Sequence, residues 1–302
     1  MIADPPMPST SSHRITGVVF AAIGAIGFSG KAIIAKLAYT YGVDAVTVLM
    51  YRMLFAFPLF LLLAWWAGRG KPPLAGRDWR MLFFLGLTGY YLASFLDFAG
   101  LQYISANLER LILYLNPTFV LALSIIVFKT HVKPRQWIAL AISYLGVIVV
   151  FGHDVSLGGS NVPLGSALVL GSAICYATYL TFSGEVVKRL GALRITGVAT
   201  SMACVLCIAQ FFVLRPVSAM EVAPEVIGLS ALNATLCTFL PVLLVMLGVE
   251  RVGAAVAAQT GSIGPLSTIA LSILLLGEPF TPWLAFGTLL VLGGIGLLMR
   301  WR

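Results

Sequence analysis

The tetrapeptide Ala-Leu-Ser-Ile occupies residues 122–125 and recurs at residues 270–273, so two identical stretches lie 148 residues apart in a chain of 302. The same offset pairs several glycines and prolines, residue types whose positions mark backbone geometry. These pairs include Gly17 with Gly165, Gly100 with Gly248, Pro117 with Pro265, Pro134 with Pro282 and Gly146 with Gly294. Matches of these residue types at one constant offset indicate that the second half of the chain repeats the first.

The composition excludes a water-soluble protein. Hydrophobic residues make up 60% of the chain, charged residues only 10%, and the mean hydropathy is +0.99, whereas a soluble domain carries about 25% charged residues. The net charge of +8 comes from basic residues in short clusters between apolar runs. Because no basic stretch interleaves with aromatic residues, nucleic-acid binding is excluded as well.

Ten apolar segments are long enough to cross a lipid bilayer, which takes about 20 residues of helix. Their continuous apolarity differs from the alternating pattern of a transmembrane β-barrel, so the predicted fold class is an all-α polytopic membrane protein. The segments are about 15–37, 45–67, 80–99, 105–128, 136–152, 163–185, 194–214, 226–248, 253–276 and 282–300.

The basic residues of the connecting loops predict the orientation of the chain. Short loops rich in Lys and Arg stay in the cytoplasm, and every second loop is rich in these residues, whereas the opposite side has Arg215 alone. Both termini are therefore predicted to be cytoplasmic. The residues assigned to the cytoplasmic side are Arg14, Arg69, Lys71, Arg77, Arg80, Lys129, Lys133, Arg135, Lys188, Arg189, Arg194, Arg251, Arg300 and Arg302.

Each half holds five predicted helices, and because five is odd the second half enters the membrane from the opposite side. The repeat is therefore predicted to be inverted, an arrangement typical of secondary transporters with a site near the bilayer midplane. The predicted organisation is a disordered cytoplasmic tail at 1–14, a first repeat at 15–152, a periplasmic linker at 153–162 and a second repeat at 163–302. Because the two halves are fused, a monomer is sufficient.

Several short motifs carry a resemblance to a known family. They are Tyr103-Ile104-Ser105-Ala106 and Leu115-Asn116-Pro117 in the first half, and Gly248-Val249-Glu250-Arg251, Gly264-Pro265, Gly277-Glu278-Pro279 and Gly293-Gly294-Ile295-Gly296 in the second. Through them the chain resembles, from about residue 15 to residue 300, the ten-helix drug/metabolite transporter superfamily of the EamA type. The first half departs from the pattern, because Lys129-Thr130-His131 stands where the second half has Gly277-Glu278-Pro279.

The whole chain is also similar to the bacterial YddG-type exporters of aromatic amino acids. This resemblance implies a multi-pass protein of the bacterial inner membrane that exports aromatic amino acids or related metabolites by alternating access. It also implies a cavity between helices 1, 3, 4, 6, 8 and 9. The expected partners are the lipid bilayer and a small-molecule substrate, and no sequence feature requires a cofactor or a metal.

An aromatic substrate needs ring faces and a few polar groups around an apolar pocket. Aromatic and polar residues within the predicted helices are therefore the candidate substrate-binding set. Each of them is also compatible with a lipid-facing ring or an interhelical hydrogen bond. The set consists of Phe28, Tyr90, Tyr91, Ser94, Phe95, Tyr114, Asn116, Tyr176, Tyr179, Asn233, Thr238, Gln259 and Ser262.

Charged residues within the helices of the first half form a second candidate set, since each charge costs at least ~2.5 kcal/mol at a helix centre. Lys31 lies 17 residues beyond Arg14, and Asp97 lies 17 beyond Arg80. That is about 25 Å of helix, so Lys31 and Asp97 are the expected ion pair. One interpretation is a structural cluster at the outer interface, and the other is an outer vestibule for the charged groups of an amino acid. The vestibule candidates are Lys31, Arg52, Asp97, Glu109 and Arg110.

Pro117 and Pro265 occupy matching places inside predicted helices, where a proline frees backbone carbonyls. They are predicted to be paired hinges, with a static role in shaping the cavity as the alternative. Asp97 and Glu109 are the clear intramembrane acids, and both lie far from the midplane. The sequence therefore favours export down the gradient of the substrate itself, with proton exchange as the alternative.

Other functions are less well supported. An intramembrane enzyme is disfavoured, because His13, His131 and His153 fall in the tail or the loops and no pair of buried carboxylates is expected. Cys204 and Cys207 have redox spacing without a second pair, so they are expected to pack as small apolar residues. A passive channel is disfavoured by the inverted repeat. Among transporters, the alternative is an exporter of a different metabolite or a drug.

Overall fold

A computed structural model describes residues 11–129, 134–156, 161–261 and 263–300. Every regular element in these ranges is helical, and helices suit a bilayer because they satisfy their backbone hydrogen bonds internally. The α-helices are α1 (Ser11–Tyr39), α2 (Ala45–Gly68), α3 (Gly76–Gly86), α4 (Ala93–Leu101), α5 (Ala106–Leu113), α6 (Asn116–Phe128), α7 (Pro134–Ser156), α8 (Val162–Leu190), α9 (Ala192–Leu214), α10 (Pro224–Ala234), α11 (Leu240–Gly261), α12 (Ile263–Leu271) and α13 (Pro282–Arg300). The other helical elements are the π-helical segments Leu87–Leu92, Thr235–Phe239 and Ser272–Leu276 and the 3₁₀ turn Val217–Met220.

Eight segments of the described chain are long and apolar enough to cross a membrane, and they match the first eight of the ten predicted spans. The last two predicted spans contain the shorter apolar helices Leu266–Leu276 and Pro282–Leu297. The chain is therefore a multi-pass membrane protein. The eight segments are Ile15–Tyr39, Ala45–Gly68, Gly76–Leu101, Ala106–Val127, Pro134–Ser156, Val162–Ser183, Ala192–Leu214 and Pro224–Gly248.

Two helix boundaries differ from the prediction. The predicted loop between about 248 and 253 is helical, because α11 continues from Leu240 to Gly261. This stretch is rich in alanine and lacks proline beyond its first turn, so nothing in it ends the helix. The predicted helix 105–128 is interrupted, since α5 ends at Leu113 and α6 begins at Asn116.

The helices pack in pairs that follow the 148-residue repeat. α1 of the first half packs along α11 of the second, and the offset relates this pair to α8 of the second half with α4 of the first. α2 also packs along α9, and α7 packs along α13. A Cβ on Gly248 would lie 3.0 Å from the Gly17 carbonyl oxygen, and a Cβ on the equivalent Gly100 would lie 2.7 Å from the Gly165 carbonyl oxygen. Small residues let membrane helices approach this closely, so glycines conserved between the halves produce the same contact twice.

Two of the three described π-helical segments also follow the repeat. Leu87–Leu92 joins α3 to α4, and Thr235–Phe239 joins α10 to α11 at the position 148 residues later. A π-helical turn holds one residue more than an α-helical turn and is frequent at functional sites. Tyr90 and Thr238, which lie in these two segments, occupy equivalent positions and both line the cavity described below.

The largest apolar cluster joins α1, α2, α4, α9 and α10. Cys204 and Cys207 are buried in this cluster, and Cys204 Sγ lies 3.7 Å from Met53 Sδ. Both cysteines are surrounded by apolar side chains, which confirms the prediction that they pack as small apolar residues.

Candidate functional site

A cavity of about 520 Å³ lies between the two halves. Its wall is formed by α1, α2, α4, α5, α6 and Leu87–Leu92 of the first half and by α8, Thr235–Phe239, α11 and α12 of the second. Small-molecule sites typically measure about 300–1,000 Å³, so this cavity has the size of a metabolite site. The predicted residues that line it are Phe28, Lys31, Arg52, Tyr90, Ser94, Asp97, Arg110, Tyr114, Asn116, Tyr176 and Thr238.

The intramembrane charges of the first half, here called the charged cluster (Lys31, Arg52, Asp97, Glu109 and Arg110), centre on one lysine. Lys31 forms an ion pair with Asp97 Oδ2, which confirms the predicted pairing. The same ammonium group lies 3.8 Å from Glu109 Oε1. Asp97 and Glu109 are 1% and 0% exposed, so the expectation that no pair of buried carboxylates exists is wrong. It failed because the two residues lie on separate helices that meet only in the folded protein.

The two arginines of the charged cluster are held by threonines. Arg52 is buried, its Nε donates to Thr238 Oγ1 at 2.9 Å, and its guanidinium lies 4.9 Å from the centre of the Phe98 ring. Arg110 Nε donates to Thr268 Oγ1 at 2.8 Å. Among the described residues, no carboxylate oxygen lies within 4.0 Å of either guanidinium. The cavity wall therefore carries more positive than negative groups.

Three aromatic residues, here called the tyrosine cluster (Tyr90, Tyr176 and Tyr179), form another part of the site. The Tyr90 and Tyr179 rings meet edge to face at 5.2 Å between centres, and their hydroxyl oxygens are 3.4 Å apart. Tyr176 and Tyr179 stack with their centres 5.7 Å apart. Tyr90 and Tyr176 present this cluster to the cavity, where their rings can contact an apolar or aromatic ligand.

Five predicted residues lie outside the lining of the cavity. Tyr91 and Phe95 pack against the largest apolar cluster, and Tyr179 belongs to the tyrosine cluster without lining the cavity. Asn233 is 0% exposed and donates through Nδ2 to the Lys31 backbone carbonyl at 3.1 Å. Glu109 is buried next to the Lys31 ammonium group and does not line the cavity. A contact of these residues with substrate stays a prediction.

Of the predicted hinge residues, Pro117 lies near a helix start. It is the second residue of α6, where its missing N–H breaks no helical hydrogen bond, so it does not sit inside a continuous helix. Pro265 lies within α12. Ser262 and the side chains of Gln259 and Pro265 lie outside the described part of the chain.

Glu278, which the sequence reasoning gave no role, caps a helix of the other half. Its Oε1 accepts a hydrogen bond from the Ala106 N–H at 2.9 Å, and its Oε2 accepts one from Asn107 Nδ2 at 2.8 Å. It also lines a second cavity of about 330 Å³ together with Lys36. Burial raises the pKa of the Glu278 carboxyl above its ordinary value, although the bonds from Ala106 and Asn107 and the charge of Lys36 act in the opposite direction.

The sequence profile of the EamA-like transporter family matches residues 15–152 and again residues 163–300. The chain belongs to the EamA-like transporter family. Because one profile matches both parts, the second half is a repeat of the first, as the 148-residue offset predicts.

Similar proteins agree with this assignment. The "Uncharacterized transporter YcbK" of Bacillus subtilis (strain 168) is 32% identical over 277 residues, which cover 87% of this chain and 86% of the relative. An "Uncharacterized transporter" of Archaeoglobus fulgidus is 27% identical over 228 residues, 75% of this chain and 79% of that protein. A solved crystal structure covers 96% of each chain with a TM-score of 0.61 and 17% identity, which shows the fold alone. Family and relatives together indicate a membrane transporter.

Proposed function

We propose that this protein is a secondary transporter that exports aromatic amino acids, or related small amphipathic metabolites, across the bacterial inner membrane. The observation that carries the proposal is the wall of the cavity between the halves, which combines aromatic rings with an excess of cationic groups. A ligand that matches this wall has an aromatic body and a carboxylate. Family membership supports transport, and the substrate class is inferred from the wall.

Arg110 is the proposed binding group for the substrate carboxylate. Thr268 holds its Nε at 2.8 Å, the side chain lines the cavity, and no described carboxylate pairs with it. The two terminal nitrogens are therefore available to a ligand. Arginine binds carboxylates through two parallel charge-assisted hydrogen bonds, which fix both position and orientation.

Two acceptors in the cavity wall suit the ammonium group of an amino acid. Asp97 lines the cavity with a carboxylate, and Asn116 Oδ1 is buried without a hydrogen-bond partner among the described residues. A buried acceptor without a partner is costly and becomes satisfied when a donor binds. The amino-acid backbone would thus lie between Arg110 and these acceptors.

The aromatic part of the substrate is placed against the rings of the wall. Phe28 on α1, Tyr90 on the first π-helical segment, Tyr114 before α6 and Tyr176 on α8 all line the cavity. Offset or edge-to-face contacts of such rings contribute about 0.5–1.5 kcal/mol beyond the burial of area. Ring contacts on several sides favour an aromatic over an aliphatic substrate.

The proposed architecture has ten transmembrane helices as two inverted five-helix repeats, with both termini in the cytoplasm. The equivalent packing of α1 with α11 and of α8 with α4 supports a two-fold relation between the halves. Alternating access then follows from exchange of conformation between the halves, with Pro117 and Pro265 as the proposed hinges. One copy encloses the whole cavity, so a monomer is sufficient.

The excess of positive groups on the wall favours one alternative substrate class, aromatic or other apolar carboxylic acids that lack an amine. Such an acid would bind Arg110 and leave Asp97 with Lys31. A structurally unrelated metabolite or a drug is the broader alternative. An intramembrane enzyme is the alternative of another class, and membership of a transporter family disfavours it.

The test is uptake of radiolabelled phenylalanine into proteoliposomes that contain only this protein. Saturable flux is expected, with competition by unlabelled phenylalanine and tryptophan and little competition by phenethylamine, which lacks the carboxylate. Equal competition by phenylpropionate would favour the carboxylic-acid alternative. Arg110→Ala is expected to abolish most of the flux, whereas Arg135→Ala, an exposed residue at the start of α7, serves as the matched control. Flux no greater than in empty liposomes would contradict the proposal.

A further inference from the structure

We propose that Glu109 is a proton-binding site whose proton is exchanged for the substrate, and that Asp97 and Lys31 are its positioning residues. This inference rests on the proposed function, because it assigns the coupling ion of the same transporter. It differs from the expectation drawn from the sequence, which favours export without an ion. The difference comes from contacts between helices that only the folded protein displays.

The surroundings of Glu109 do not support a charged carboxylate. Its side chain is 0% exposed, and among the described residues no donor reaches either carboxylate oxygen, whereas the neighbouring Asp97 carboxylate can accept a hydrogen bond from a protonated Glu109. The one described cation within ion-pair distance is Lys31, at 3.8 Å from Oε1. A buried charge without hydrogen bonds is unfavourable, and a proton on Glu109 removes that charge.

The lysine that approaches Glu109 is already engaged. Its ammonium group is bonded to Asp97 Oδ2, while Asp97 Oδ1 has no hydrogen-bond partner in the described part of the chain. One cation therefore serves two buried carboxyl groups. Two carboxylates that share a site do not both ionise readily, so the pair keeps one proton. Because Lys31 lies closer to Asp97, the proton is assigned to Glu109.

No other described cation lies within ion-pair distance of these two carboxyl groups, although the charges of Arg110 and Arg52 act on Glu109 and Asp97 from farther away. Arg52 and Arg110 each donate Nε to a threonine, and α7, α8 and α13 meet α5 through apolar side chains such as Leu108 and Ile112. The charged and titratable groups around α5 are Lys31 and Tyr39 on α1, Arg52 on α2, Asp97 on α4, Arg110 on α5 itself, Asp154 on α7 and Glu278 after α12.

The sharing of Lys31 by two buried carboxyl groups also explains exchange. Lys31 and Asp97 line the cavity, and the Lys31 side chain is 17% exposed, so a substrate ammonium can reach this pair. An ammonium at Asp97 would be the second cation for the two carboxylates. Glu109, which does not line the cavity, would then release its proton by way of its neighbour Asp97, which does, and become a carboxylate. Proton and substrate are therefore mutually exclusive, which is the requirement for antiport.

Infrared spectroscopy of the purified protein tests the proton site without any substrate. Spectra recorded in neutral and in alkaline buffer, where ordinary exposed carboxyl groups stay ionised, should differ by the carbonyl band of a protonated carboxyl group. This band should be absent in Glu109→Gln and present in Glu225→Gln, the matched control at an exposed glutamate of α10. A band that is equally strong in Glu109→Gln and wild type would overturn the assignment, as would its absence from wild type.

A second variant decides the matter if Glu109→Gln does not fold. In Asp97→Asn, Lys31 has Glu109 as its only carboxylate neighbour in the cluster, so Glu109 should lose its proton at lower pH than in wild type. An unchanged titration of the band would contradict the shared-lysine arrangement.

Proton release on addition of phenylalanine, in weakly buffered solution, then tests the exchange step. Wild type should release up to one proton for each phenylalanine bound, and Glu109→Gln should release none. A carbonyl band that titrates, together with no binding of phenylalanine, would support the proton site and contradict the proposed substrate. Phenylalanine flux without a band or proton release would leave the transporter in place and overturn the proton site.

Discussion

Two places in or directly beside the cavity wall are equivalent in the repeat and differ in chemistry. The 148-residue offset relates Lys31 to Tyr179 and Tyr90 to Thr238. Lys31 belongs to the charged cluster, and Thr238 accepts a hydrogen bond from Arg52, whereas the Tyr90 and Tyr179 hydroxyls meet at 3.4 Å. Equivalent positions thus carry charges at one place and rings at the other.

The difference separates the fold from the chemistry of this protein. The glycine contact between α1 and α11 is repeated between α8 and α4. These contacts therefore belong to the helix packing that the two halves share, here called the common frame. The charges do not, because Asp97, Glu109 and Arg110 correspond to Val245, Ala257 and Ala258. The second half forms its helices without these charges, so the common frame does not require them.

The largest effect is expected from breaking the frame at equivalent places. In Gly165→Val the new side chain would meet the Gly100 carbonyl oxygen at 2.9 Å, and in Gly17→Val it would meet Val252 at 2.6 Å. Overpacking typically costs about 1–3 kcal/mol, and we expect the upper end because the Gly100 carbonyl oxygen near Gly165 and the Arg251 Cβ near Gly17 cannot rotate out of the way. Thermal unfolding in detergent should show a much lower melting temperature for both variants. Gly152→Val should melt close to wild type, because a Cβ on Gly152 would have no neighbour within 4 Å. A tolerated Gly165→Val would show that the two contacts are not equivalent.

The next effect concerns the charged cluster. Arg110→Ala should raise KM for phenylalanine flux about tenfold or more, because hydrogen bonds to charged groups contribute about 1.5–3 kcal/mol. The KM of Arg110→Lys should lie between those of wild type and Arg110→Ala, since lysine keeps the charge and loses the planar pair of donors. Concentration-dependent uptake into proteoliposomes measures this. KM values that do not change in either variant would remove Arg110 from the substrate site.

A smaller effect is expected where the halves meet at Asp44. Its Oδ1 accepts from the Val46 N–H at 2.9 Å and its Oδ2 accepts from Arg215 Nε at 3.1 Å, so it caps α2 and ties it to the end of α9. Asp44→Ala should cost about 0.5–2 kcal/mol. Asp44→Asn, which keeps a capping oxygen, should cost less, and a reversed order would contradict the capping role.

The Asp44 contact also predicts a pH dependence. Partial burial acts to raise the pKa of the Asp44 carboxyl, but hydrogen bonds from Arg215, Thr47 and Val46 outweigh it and hold the pKa below its ordinary value. This stabilisation is therefore present above the ordinary aspartate pKa of about 3.9 and is lost as the pH falls through the lowered folded-state value. The difference in melting temperature between wild type and Asp44→Ala should shrink over that acidic range.

The smallest effect is expected in the tyrosine cluster, which carries no charge. Tyr179→Phe removes one hydroxyl from a contact of 3.4 Å, which is long for a hydrogen bond between hydroxyls, and leaves the ring stacking intact. Its KM for phenylalanine should stay within about twofold of wild type, given a net contribution below ~0.5 kcal/mol. A loss as large as that of Arg110→Ala would show that the tyrosine cluster contributes as much as the charged cluster.

Much of the fold follows from the sequence, because apolar length and the positions of glycine and proline are local properties. Those properties predict eight of the spans now described, and the Gly17 and Gly165 contacts recur as the offset predicts. The predicted spans do not locate the break at Tyr114–Leu115. They also place a loop where an alanine-rich stretch continues α11.

The site is predicted less completely. Depth along a helix predicts the pairing of Lys31 with Asp97, since each lies 17 residues beyond an arginine that is predicted to be cytoplasmic. It does not separate Tyr90, which lines the cavity, from Tyr91, which packs in the apolar cluster, because the π-helical segment shifts the face of every residue within it. The approach of Glu109 and the cap by Glu278 arise between distant helices, and no local pattern signals them.

The most direct test of the central claim, that the cavity between the halves holds an aromatic amino acid through its charged cluster, is calorimetric titration of phenylalanine into the purified protein. Wild type should bind phenylalanine at one site, bind phenethylamine much more weakly, and lose most of its affinity in Arg110→Ala. Affinity for phenylalanine that is the same in wild type and Arg110→Ala, or no binding of phenylalanine by wild type, would contradict it.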